Sequence, residues 1–67
     1  MIEIQLNGDL KPVADDTTVH QLIEGLGLDP TKVAVERNRE IVSKSLYQEV
    51  KLAANDQLEI VHFIGGG

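Results

Sequence analysis

Apolar and polar residues alternate cleanly at the start of the chain, with Ile2, Ile4 and Leu6 on one side and Glu3 and Gln5 on the other. A period of two marks a half-buried strand. Asn7-Gly8 follows at once, and both residue types tolerate the positive φ angles that close a tight hairpin. Leu10 to Val13 is then the returning strand. Pro12 has no amide hydrogen to give to a ladder, which predicts that this strand lies at a sheet edge. From Asp15 to Thr18 the alternation stops and helix-start chemistry takes over. Thr18 and Gln21 have the spacing of a capping box, and Val19, Leu22, Ile23 and Leu26 recur at the intervals of one helical face. Gly27 is placed to end this helix in a left-handed cap.

Beyond the Asp29-Pro30 loop, Val33 to Arg37 reads as a third strand with Val33 and Val35 on one face. Asn38 sits at a turn, and Glu40 to Ser43 forms a short fourth strand. Lys44 to Ala54 has no clean period; Leu46, Tyr47, Val50 and Leu52 are expected to pin an irregular crossing to the core. Asn55-Asp56 is a turn signal. Gln57 to Ile64 is the last strand, with Leu58 and Ile60 facing inward. Val61 and Phe63 fall on the opposite face, where they either form a small exposed apolar patch or pack into the core.

Hairpin, helix, hairpin, irregular crossing and final strand make an α+β domain, a mixed sheet of about five strands packed on one main helix. A right-handed crossover predicts the strand after the helix beside and parallel to the first, and the last strand can also pair beside the first at the sheet centre. This is the ubiquitin-like β-grasp arrangement. The expected division is a domain over residues 1–64 and a flexible glycine tail over residues 65–67.

Length and composition narrow the chemistry. A chain of 67 residues supports one domain with a small core. It has no cysteine, so disulfides, thiol catalysis and thiolate metal sites are excluded. His20 and His62 lie far apart, without the spacing of a metal cage. His20 is expected to be solvent-exposed in the first helical turn, and His62 to be structural or at the surface. Ser43 and Ser45 have no partner histidine in a recognisable elbow, so no catalytic residue and no metal ligand is assigned. Eleven acidic residues against six basic ones give a formal charge of −5, which argues against a nucleic-acid surface and favours a protein partner with a basic patch. No apolar run approaches the roughly 20 residues of a membrane span and no signal peptide opens the chain, so a cytoplasmic protein without membrane contact is expected.

The tail is the exception to this quiet chemistry. Phe63-Ile64-Gly65-Gly66-Gly67 puts three glycines directly after an apolar strand. Glycine is entropically costly to order and has no side chain to pack, so such a run adds nothing to fold stability. It does provide a thin backbone able to pass through a channel too narrow for any Cβ, carrying a carboxylate into another protein's active site. A frayed end is the bland alternative. The fold order beside the glycines favours the functional one.

These residues bring the chain close to a known family. Ile2-Glu3-Ile4-Gln5-Leu6-Asn7-Gly8, Thr18-Val19-His20-Gln21-Leu22, Val33-Ala34-Val35-Glu36-Arg37-Asn38 running into Ile41-Val42, and Asp56-Gln57-Leu58-Glu59-Ile60-Val61 through Gly67 resemble the ThiS sulfur carriers of thiamine biosynthesis. Ser43-Lys44 stands where the family often has Pro-Arg, and Gly65 where many relatives have a small residue such as alanine. The resemblance implies that Gly67 is the site of adenylation and of the thiocarboxylate, with Gly65 and Gly66 giving passage. It also implies that Val61, Phe63 and Ile64 are recognised by partners. Those partners would be an E1-like adenylating enzyme of the ThiF type, using ATP and Mg, and a thiazole synthase of the ThiG type. The chain itself would bind no cofactor and would not be an enzyme. A molybdopterin-synthase-type or tRNA-thiolation carrier, a ubiquitin-like protein tag and a non-covalent β-grasp interaction module are the rival readings.

Overall fold

The structure, a computed structural model, describes residues 1–62; the expected glycine tail and the last two residues of the predicted strand, Phe63 and Ile64, lie outside the described residues. Strand β1 (Ile2–Leu6) turns through Asn7 and Gly8 into β2 (Asp9–Val13). Both turn residues have positive φ, 50° and 88°, as a two-residue hairpin with native strand twist requires. Helix α1 (Val19–Gly25) follows, then a 3-10 turn at Pro30–Lys32, the hairpin of β3 (Val33–Arg37) and β4 (Glu40–Val42), a second 3-10 turn at Lys44–Leu46, and β5 (Gln57–His62).

These form one five-stranded sheet in the order β2-β1-β5-β3-β4. Pro12 is therefore on an edge strand, as its missing amide hydrogen demands. The last strand lies at the centre, parallel to β1 and antiparallel to β3. The expectation for β3 needs correcting: it neither adjoins β1 nor runs parallel to it. The chain enters the helix from β2, which is antiparallel to β1. A crossover returning parallel to the strand it leaves must then run opposite to β1, and β5 fills the space between. The result is the mixed β-grasp sheet.

Why a helix of seven residues holds is an accounting of its first amides. Val19 N–H donates to Val50 C=O and His20 N–H to Tyr47 C=O, at 3.0 and 2.9 Å. Gln21 N–H donates to Thr18 Oγ1 at 3.1 Å, and Gln21 Oε1 accepts from Thr18 N–H at 3.0 Å, the reciprocal capping box. Leu22 N–H then makes the first intrahelical bond, to Thr18 C=O. At the other end Gly27, with φ 78°, donates to Glu24 C=O while Leu28 N–H reaches back to Ile23 C=O, a Schellman closure. The crossing from 44 to 54 thus caps the helix as well as covering the core.

Ile4, Val13, Val19, Leu22, Ile23, Val33, Val35, Tyr47, Leu52, Leu58 and Ile60 form the core between helix and sheet. Val50 packs against it, but Leu46 does not: it is 43% exposed. Its place in a 3-10 turn leaves Tyr47 to fill the space, with the phenol donating to Val33 C=O at 3.1 Å. His20 is half-buried rather than fully exposed, because the crossing packs over its turn; its Nε2 lies 3.2 Å from Glu24.

Candidate functional site

β5 delivers the chain to its C-terminal end from the middle of the sheet. β3 flanks it through pairs running from Arg37 opposite Leu58 to Val33 opposite His62. Alternation sends Leu58 and Ile60 into the core and Gln57, Glu59 and Val61 to the open face, the side of the sheet without a helix. Val61 is 62% exposed, so core packing does not hold for it; Phe63, the other residue of the expected patch, lies outside the described residues. His62 is exposed at the strand end. Phe63, Ile64, Gly65, Gly66 and Gly67, which carry the rest of the expected site, lie outside the described residues.

The register shows what surrounds Val61. Ala34 of β3 is directly opposite it, and Glu36, two residues on, is opposite both Glu59 of β5 and Ile41 of β4. Ile41 is 72% exposed and projects from the same face. On this face Val61 and Ala34 form one cross-strand row, and the next row runs Glu59–Glu36–Ile41, so two carboxylates separate the apolar Val61–Ala34 pair from the exposed Ile41 at the edge. Like charges directly opposite on neighbouring strands are unfavourable. Among the described residues neither carboxylate has an ion-pair partner. A surface of this kind fits a partner that brings an apolar contact and a cation together. Ala34, Glu36 and Ile41 were not singled out by sequence reasoning. Their period-two placement was legible, but only the register puts Ala34 opposite Val61 and Glu36 between Glu59 and Ile41.

The loop feeding β5 is held by Asp56, which is 5% exposed. Its carboxylate accepts from Arg37 Nε and Ala53 N–H, both at 2.8 Å, and from Asn38 Nδ2 at 3.1 Å. Asn38 also accepts from Gln57 N–H at 2.9 Å, tying the β3–β4 turn to the first residue of β5. Among the described residues there is no group of His, Asp or Glu side chains able to hold a metal ion, and no helix long and apolar enough to cross a membrane.

A comparison with known families matches residues 4–67 to the ThiS family, through the three glycines. The chain belongs to the ThiS family. It is 48% identical over 65 residues to the sulfur carrier protein ThiS of Bacillus subtilis, covering 96% of this chain and 98% of that one. It is also 50% identical over 66 residues to a thiazole synthase of Magnetococcus marinus, covering 98% of this chain but only 20% of that longer protein. The crystal structure of the thiamine biosynthesis protein ThiS from Geobacter metallireducens superposes with a TM-score of 0.83 at 26% identity, covering 98% of this chain and all of that one. The two chains thus share one fold over nearly their whole length.

Proposed function

We propose that this chain is a sulfur carrier for thiazole formation in thiamine biosynthesis, and that the carboxylate of Gly67 is the group that is activated and bears the sulfur. The family match running through Gly67 is the observation that carries this reading. A carboxylate is a poor electrophile and has to be activated. An E1-like, ThiF-type enzyme with ATP and Mg joins it to AMP, and pyrophosphate leaves. The terminal sulfur of a persulfide then attacks the acyl carbon and expels AMP. A second thiol cleaves the resulting acyl disulfide, leaving the thiocarboxylate on Gly67 and a disulfide on the donor. Thiazole synthase takes up that sulfur; the thiazole synthase relative that contains a region similar to this chain supports the pairing. Nucleotide and metal belong to the activating partner, and the chain works as a carrier in the cytoplasm with no cofactor of its own.

Within this scheme residues 1–64 are the body that partners grip and residues 65–67 the thread. Gly65 and Gly66 give passage because they add no Cβ to the thread, and Val61, Phe63 and Ile64 are the recognition side chains at its root. The exposure of Val61 beside Ala34 supports the assignment of Val61.

Deleting Gly67 tests the proposal. The truncated chain is expected to keep its amide dispersion and melting behaviour, and to support no pyrophosphate exchange with the activating enzyme. Intact mass after addition of a sulfur donor should show oxygen exchanged for sulfur in the full chain only. Continued adenylation of the truncated chain would refute the assignment of Gly67.

A further inference from the structure

The β1–β5 ladder is completed by a side chain. Gln5 N–H donates to Asp56 C=O and Asn7 N–H to Leu58 C=O, both at 2.8 Å, the two-residue step of a parallel pairing. One more step would need the carbonyl of residue 7 to accept from Ile60 N–H and the amide of residue 9 to donate to Ile60 C=O. The hairpin turn forbids both. Asn7 is already at φ 50°, and Asp9 has turned back to pair with Leu6 in β2. Asn7 supplies the missing groups from its carboxamide: Oδ1 accepts from Ile60 N–H at 2.9 Å and Nδ2 donates to Ile60 C=O at 3.4 Å. A carboxamide carries the same donor and acceptor as a peptide unit, so it stands in for the piece of strand that the turn removes.

We propose that Asn7 is a positioning residue for the carrier reaction: its carboxamide locks β5 at Ile60 and so sets the line along which the chain is presented to the activating enzyme. This rests on the function proposed above. Without the carboxamide, Ile60 would present an unpaired N–H and C=O on one flank, and the last turn of β5 would be held by β3 alone. A strand end that frays in the free carrier has to be re-ordered on docking, and that ordering cost weakens binding without altering the chemical step. Asparagine alone among the short polar residues combines tolerance of positive φ with both a donor and an acceptor.

Asn7→Gly removes the carboxamide and keeps the turn unstrained, while Asn7→Asp keeps the acceptor and loses the donor. In the isolated carrier, hydrogen exchange at the Ile60 amide should accelerate about tenfold in Asn7→Gly, the scale of one lost hydrogen bond, with the Leu22 amide in the helix unchanged. In pyrophosphate exchange the KM for the carrier should rise about tenfold with kcat retained, and Asn7→Asp should fall between Asn7→Gly and the native chain in both measurements. Unaltered Ile60 exchange would overturn the clamp. Faster Ile60 exchange with an unchanged KM would overturn the positioning role. A native chain that supports no pyrophosphate exchange at all would instead sink the carrier function on which the role depends, and the amide exchange result distinguishes the two cases.

Discussion

The carboxylate of Asp56 sits where the loop after the crossing turns into β5, and three donors converge on it. Burial acts against its charged form. The hydrogen bonds from Ala53 N–H, Arg37 and Asn38, with the positive charge of Arg37, outweigh that and hold its pKa below the ordinary carboxylate value. A carboxyl group whose folded pKa is lowered contributes stability above its unfolded value, about 3.9, and that contribution is lost as pH falls through the folded pKa. Urea unfolding followed from neutral pH into this acid range should show the native chain losing stability there, and Asp56→Asn a flatter acid limb. Asp56→Ala should cost about 3 kcal/mol at neutral pH, because it strands Arg37 and the Ala53 amide together. A cost under about 0.5 kcal/mol, the range of ordinary surface changes, would mean that the loop does not depend on this group. Nothing in the Asn55-Asp56 dipeptide distinguishes such a carboxylate from a solvated turn residue. Its partners Arg37 and Asn38 are remote in sequence and reach it through the β3–β5 register.

Helix α1 is an element that could not stand alone. Seven residues are far below the length at which an isolated helix is even marginal, roughly 12–15 residues. It persists because Val19, Leu22 and Ile23 are buried against the sheet and because every early amide finds an acceptor. Two of those acceptors, Val50 and Tyr47 C=O, come from the crossing, so helix and crossing should melt together. Thr18→Ala removes the capping oxygen and is expected to cost about 1 kcal/mol. Thermal melts should show this as a fall of about 4–8 °C in Tm, largely restored by Thr18→Ser. The capping box and the apolar stripe were readable from spacing because both are local. The crossing was not, since its backbone follows the acceptors it must provide rather than any period of its own, and this left Leu46 outside the core and His20 half-covered.

For the molecule as a whole, the sheet has one face sealed by the helix and one open, and the open face is where the proposed function places partner recognition. On the open face Val61 lies beside Glu59 and Glu36, so Val61→Asp adds a third carboxylate and removes the apolar contact. Strand propensity limits its folding cost to about 1 kcal/mol, while affinity for the activating enzyme or thiazole synthase should fall about tenfold or more in a titration calorimetry comparison. Unchanged affinity for both proposed partners would move recognition away from Val61. Three decisions about the protein were already taken by its linear order of residues. The period of two at Ile2–Leu6, the period of the helix at Val19–Leu26 and the glycines at 65–67 specify the elements and the candidate chemistry, because each depends only on neighbours a few residues apart. Pairing is a different matter. That β5 rather than β3 lies beside β1, that Asn7 completes its ladder, that Asp56 is buried, and that Ala34 lies opposite Val61 all depend on contacts between distant segments. Those contacts exist only once the sheet has closed, and strand order and register are set by the balance of the whole core.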